Sequence, residues 1–161
     1  MMLTNDLLNM GFTLSNVKDS DFLEYMNVKR ICYKNYVDQY YGGWIEDVQI
    51  ELNAKTFGEM NGHSCFQKIL LNGETVGFLA YNELPDKIGG ISIQMIDYAR
   101  NFGIGSFYLD HILTLAKQRK KPVFLKVFKS NPAQNLYKRY GFIIYDETVS
   151  YFLMKFDPII F

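Results

Sequence analysis

Residues 91–128 read ISIQMIDYARNFGIGSFYLDHILTLAKQRKKPVFLKVF. Two strand-like runs flank one helical run, and few arrangements accept that order. Leu109, Ile112, Leu113 and Ala116 fall at i, i+3, i+4 and i+7, the apolar face of an amphipathic helix. Pro122 marks its end, and residues 123–128 are rich in β-branched and aromatic residues. A strand, a helix and a strand in this order predict a right-handed parallel crossover. The helix opens on Gly103 and Gly105. Inside a helix each glycine costs about 1 kcal/mol relative to alanine. A helix N-terminus leaves backbone N–H groups without acceptors and carries partial positive charge. Glycine lets an anion approach that backbone without a Cβ in the way. A phosphate cradle and a tight strand-to-helix turn are both open readings of a bare G-x-G. A P-loop is excluded because no lysine follows in register. A dinucleotide fingerprint is excluded because its third glycine would stand at Tyr108.

The charge pattern suits an anionic ligand in this segment. The formal net charge is zero, yet residues 100–139 hold nine basic side chains against one acid, Asp110. The rest of the chain is acidic to match, so one half suits a polyanion and the other a cation. At 161 residues with 48% apolar content, one domain over residues 1–161 with a real core is expected. Cys32 and Cys65 have no metal or redox spacing, and His63 and His111 stand alone, so no metal site is expected. The first residues lack a basic region followed by an apolar run, and no window reaches the ~20 apolar residues of a membrane span. A cytoplasmic protein with reduced thiols is the expectation.

The remaining elements follow from periodicity and turn chemistry. Residues 12–17 alternate as a short strand. A helix should run from Ser20, as N-cap, to Gly42 and Gly43. A second helix covers residues 44–57, with Val48, Leu52 and Phe57 as inward candidates. Asn72-Gly73 between two strand-like runs is a hairpin signal. Near the end, Asn131 as N-cap, Pro132 at the first helical position and Gly141 after the last turn bound a short helix. Two strands around Asp146-Glu147 close the chain. The order β-α-α-β-β-β-α-β-α-β-β places the chain in the α/β (α+β) class, a mixed sheet with helices on it.

Arg100, Gly103 and Gly105 fit a Gln/Arg-x-x-Gly-x-Gly/Ala loop. One strand later NPAQNLYKRYGF supplies Asn131, Leu136-Tyr137 and Gly141-Phe142, with Ala133 one place early. In these two blocks, and in the order of elements along nearly the whole chain, the sequence resembles the GNAT superfamily of acyl-CoA-dependent N-acyltransferases. The resemblance implies a mixed, mostly antiparallel central sheet with helices on both faces. It implies acetyl-CoA as co-substrate and an amine, on a small molecule or a protein, as acceptor. The backbone at Met95 and Ile96 would then pair with the pantetheine arm. That of Arg100, Asn101, Phe102, Gly103, Ile104, Gly105 and Ser106 would hold the pyrophosphate. Asn131 would touch the cofactor, and Tyr137 would face the thioester sulfur as general acid. Three positions depart from the family pattern: Asp97 stands where proline is often found, Asn101 where glycine is usual, and bulky Phe102 where a basic residue is usual. Family members are often homodimers.

Acyl transfer needs a neutral amine, a proton acceptor and donors for the oxygen that gathers charge. An N–H near Ile96 is one candidate donor. The base is unassigned among Gln94 as a water holder, Glu83, Glu46 and Asp38, and Glu83 leads as a strand-end carboxylate. Tyr36, Tyr40 and Trp44, beside Asp38, Glu46 and Asp47, suit a cationic amine. Core packing is the competing reading of these aromatics, as it is of Tyr137. A non-catalytic acyl-CoA-binding sensor is the alternative function. A nucleic-acid binder is disfavoured by zero net charge and by the lack of a recognised binding motif.

Overall fold

A computed structural model describes residues 1–159. After a short helix α1 (Asn5–Asn9) come β1 (Phe12–Asn16), α2 (Phe22–Tyr41), α3 (Glu46–Met60), β2 (Cys65–Leu71), β3 (Glu74–Glu83) and β4 (Ile88–Met95). Then follow α4 (Ile104–Arg119), β5 (Val123–Phe128), α5 (Ala133–Arg139), β6 (Ile143–Glu147) and β7 (Tyr151–Phe156). Seven strands form one sheet in the order β1-β2-β3-β4-β5-β7-β6. In it β4 and β5 pair in parallel and the other neighbours are antiparallel. The crossover expected over residues 91–128 is therefore parallel.

Strand alternation divides the core between the two sheet faces. Leu79, Ile88, Val123 and Leu125 pack with Leu7, Tyr108, Leu109, Ile112, Leu113 and Tyr137. Phe66, Phe78 and Ala80 pack with Tyr25, Val28, Phe57 and Met60. One face thus carries α1, α4 and α5, and the other α2 and α3. Tyr108 reaches into an irregularity between β3 and β4. Its hydroxyl donates to Ala80 O and accepts from Ser92 N–H at 3.2 Å, standing in for a ladder bond.

Local chemistry explains the element ends. Asn72 and Gly73 sit at φ +51° and +84°, as a two-residue type I′ hairpin requires. Gly42 ends α2 at φ +78°. Ser20 is not the cap of α2. A single 3-10 turn at Asp19–Asp21 comes first, and Asp21 Oδ2 accepts from Lys18 N–H at 2.8 Å. The closing turn lies after Glu147, where Thr148 Oγ1 accepts from Tyr151 N–H at 2.9 Å. The inward assignment of Val48 and Leu52 is corrected. They are 46% and 56% exposed, and the buried residues of α3 are Asn53, Phe57 and Met60. No helix among the described residues is long and apolar enough to cross a membrane.

Candidate active site in the split between two strands

β4 and β5 share one registered pair, Ile88↔Val123, and then part. At about 3.3 Å per residue, the β4 edge from Ile88 to Met95 is roughly 23 Å long. Below the sheet, Leu109, Ile112 and Leu113 of α4 join a core that also takes in Leu136 and Tyr137 of α5. A cleft of about 780 Å³ occupies the opening and runs beneath α2 and α3. That size accommodates a substrate with much of its surface buried.

Which β4 groups face the opening follows from one bond. Ile96 N–H donates to Val76 O at 2.9 Å, so it is spent on the sheet and is not an oxyanion donor. Alternation then turns the backbone of Met95, Ile93 and Ile91 toward β5. The Met95 carbonyl is already engaged, accepting from Arg100 Nε at 2.7 Å and from the Cys32 thiol at 3.3 Å. The N–H groups of Met95 and Ile93 are left to serve a ligand along this edge.

At the end of β4 the chain makes a 3-10 turn at Asp97–Ala99 and enters the glycine loop. Arg100 N–H donates to Asp97 O at 3.1 Å, and its guanidinium lies 3.0 Å from Asp97 Oδ1. Arg100 thus closes the turn, and its N–H is not free for a phosphate. Asn101 takes φ +66°, a left-handed conformation that asparagine tolerates better than most residues. Gly103 caps α4 at φ +106°, which L side chains rarely adopt. A Cβ on Gly105 would instead lie 3.3 Å from Leu136 Cδ2, so that glycine lets α5 pack close. The first intrahelical bond is Phe107 N–H to Gly103 O at 3.0 Å. The N–H groups of Ile104, Gly105 and Ser106 precede it and point out of the helix end. Phe102 leans on Phe12 with ring centroids 6.2 Å apart, so its bulk seats the loop on β1.

On the far wall, Asn131 and Tyr137 line the cleft. Asn131 Oδ1 accepts from Ala133 N–H at 2.9 Å just ahead of α5, whose N-cap position is Pro132 and not Asn131 as expected, and the Asn131 amide NH₂ is left as a donor. Tyr137 is 8% exposed, and burial pushes its phenol up to about 12. It is protonated at neutral pH and so can donate. Tyr33, also in the wall, is pushed up by burial, with Tyr137 adding to the effect.

The predicted acceptor residues divide. Trp44 lines the cleft, pinned by Asp38 Oδ1 on its backbone N–H at 2.8 Å and by Glu46 Oε2 on its indole N–H at 2.7 Å. Asp38 and Glu46 also pair with Lys34 and Arg30, so these acids hold the α2–α3 corner. Tyr36 and Tyr40 do not line the cleft. They stack on Phe128 at 4.9 and 5.5 Å, and Tyr40 Oη accepts from Ser130 N–H at 3.1 Å. Their stacking positions Phe128, which lines the cleft together with Tyr41 and Tyr151.

Glu83 is corrected as a candidate base. It pairs with Ile88 at the closed end of the split and is not part of the cleft wall. Lys121 Nζ at 2.6 Å and Arg119 Nε at 3.6 Å hold its carboxyl below the usual carboxylate range. Sequence reasoning missed Lys29, Lys126, His63 and Glu59, all in the wall. The signal for Lys29 was its place four residues before Tyr33, on the same helix face. Among the described residues no group of metal-ligating side chains gathers into a site.

The acetyltransferase (GNAT) family model matches residues 30–142. No curated protein matches the chain. Among solved structures, the PaiA N-acetyltransferase of Thermoplasma acidophilum, in complex with coenzyme A, superposes with a TM-score of 0.67 at 18% identity. The superposition covers 92% of this chain and 99% of that one. The ribosomal-protein-S18-alanine N-acetyltransferase of Escherichia coli gives 0.63 at 19% identity, covering 91% and 93%. Arabidopsis thaliana Naa50, in complex with the bisubstrate analogue CoA-Ac-MVNAL, gives 0.64 at 16% identity, covering 91% and 99%. These likenesses are of fold. With the split sheet and the glycine-capped helix in place, and a family match over most of its length, the chain belongs to the GNAT acetyltransferase family.

Proposed function

We propose that this single-domain protein moves an acetyl group from acetyl-CoA to a primary amine by direct attack. The observation that carries the reading is the meeting of an open strand edge with a free helix N-terminus. β4 parts from β5 after Ile88, and beyond its far end the first turn of α4 offers unpaired N–H groups. The amides of a pantetheine arm suit the Met95 and Ile93 N–H groups. A pyrophosphate suits the backbone from Asn101 to Ser106, and the Asn131 NH₂ serves the same ligand.

In the reaction the amine nitrogen bonds to the thioester carbonyl carbon, and the carbon–sulfur bond breaks. The departing sulfur takes the Tyr137 hydroxyl proton, and the amine loses a proton to water at the cleft mouth. A thiol pKa of about 8.5 makes thiolate a fair leaving group, so the acid assists the step without dominating it. Burial in the cleft disfavours the ammonium form of the incoming amine, which helps it arrive as a nucleophile.

Thiol release from acetyl-CoA across a panel of amines tests the reading, and amine-dependent release is expected. A second reading, an acyl-CoA sensor without turnover, is favoured by one observation: among the described residues of the wall, Glu59 is the one carboxylate, and it is exposed. Binding of acetyl-CoA without release for any amine would select it.

A further inference from the structure

The acceptor side of the cleft has the wrong charge for a simple cationic amine. Lys29 projects from α2, its ammonium 4.2 Å from the centre of the Tyr33 ring. Lys126 projects from β5 on the strand face shared with Phe128, 4.8 Å from the centre of the Tyr151 ring. Neither makes an ion pair among the described residues. The acids that the sequence places nearby, Asp38 and Glu46, are bound to Lys34, Arg30 and Trp44. Burial lowers the Lys29 ammonium to about 8, and the Lys126 charge pushes the same way. A desolvated cation without a counter-ion is costly, and an incoming anion removes the cost.

The other half of the same wall is apolar. Ile45, at the N-cap of α3, and Val48 and Leu52 within the helix line the cleft and are 64%, 46% and 56% exposed. Residues three and four apart share a helix face, so they form one stripe. They stay largely exposed, and an apolar group on the acceptor would cover them.

Resting on the proposed acetyl transfer, we propose that the acceptor is a carboxylate-bearing amine with an apolar side group, an amino-acid-like molecule whose carboxylate lies between Lys29 and Lys126. The apolar group lies on Ile45, Val48 and Leu52, which leaves the amine directed at the strand split and Tyr137. A protein N-terminus, with its nearest carboxylate converted to an amide, fits this wall less well.

Matched acceptors test the proposal: phenylalanine and leucine against their amides, their decarboxylated amines and a C-terminally amidated peptide beginning with the same residue. The expected kcat/KM favours the free carboxylate at least tenfold. Lys29→Met and Lys126→Met together should erase that ratio while the Kd for acetyl-CoA changes less than twofold. A second arm needs no turnover. N-acetylphenylalanine and its amide are titrated into the CoA-loaded protein, and tighter binding of the carboxylate, lost in the double variant, is expected. Should turnover be absent while this binding preference holds, acetyl transfer fails and the anion site stands. Equal or better use and binding of the amides, or a carboxylate preference that survives in the double variant, overturns the site.

Discussion

The two sides of the strand split are built by different means. Facing the glycine loop, the proposed co-substrate surface is backbone. Two left-handed residues, Asn101 and Gly103, aim a run of N–H groups, and Gly105 makes room for Leu136. Facing α2 and α3, the surface is side chain: two lysines, a belt of tyrosines and an apolar stripe. Backbone sites demand particular residue types, because φ and the absence of a Cβ allow few substitutes. Side-chain sites reuse residues that also build ordinary helices. On the proposed function, the first side holds the co-substrate and the second sets which acceptor is taken.

The sharpest break between the sides should come from Gly103→Val. At φ +106° a β-branched residue forces the cap of α4 to move, and a shift of about 1 Å at a binding centre can cost on the order of 100-fold. Calorimetry should show acetyl-CoA binding lost, while circular dichroism shows the sheet retained. Next comes Tyr137→Phe, which keeps the ring in its core against Phe142 and removes only the hydroxyl. With chemistry limiting, kcat should fall about tenfold to 100-fold, the low end for a general acid, with the Kd for acetyl-CoA unchanged. Unchanged turnover would remove the acid role.

Lys29→Met tests the other side through stability. In the folded protein Lys29 sits at about 8 against an ordinary 10.5. The folded state thus binds fewer protons than the unfolded state between those values, and stability rises with pH across that window. The penalty is full below about pH 8 and gone above the unfolded value. The variant should therefore be the more stable at pH 7, by up to about 3 kcal/mol, with the gap closing as pH climbs past the window. Denaturant melts at pH 7 and pH 10 read this directly, and a variant less stable at pH 7 would show the ammonium to be well solvated or paired. The smallest effect belongs to Asn101→Gly. It relieves φ +66° and should leave stability within about 0.5 kcal/mol of the parent and acetyl-CoA affinity nearly unchanged.

Legibility followed the same division. The strands around the split, α4 and the hairpin at Asn72-Gly73 were readable because periodicity and turn residues act locally. The glycine loop and the α5 block were readable because each position answers a backbone need. Arg100 was read as part of a phosphate cradle, yet it holds the Met95 carbonyl and Asp97, a contact that only the folded turn creates. Glu83 looked placed for catalysis at a strand end, but the sheet register sends that end away from the opening. Tyr36 and Tyr40 were indistinguishable from Tyr33 and Tyr41 by composition, and the rotation of α2 decides which reach the cleft. Val48 and Leu52 keep the helical period of core residues. Their exposure follows from α3 spanning the cleft, with no sheet beneath that stripe to bury them. The charge of the acceptor wall was hidden for a related reason: Glu46 pairs with Arg30 across the α2–α3 corner, a tertiary contact, and Asp38 is taken by Lys34 one helical turn away, so neither acid pairs with the cleft lysines.

Hydrogen exchange of the backbone amides, with and without acetyl-CoA, tests the account most directly. Protection is predicted at two places, residues 91–106 and residues 131–137, with the amides of Met95, Gly105 and Ser106 among the most slowed. Protection spread over the basic stretch 117–129 without change at the α4 N-terminus, or no protection at all, would contradict a pyrophosphate cradle at the glycine cap.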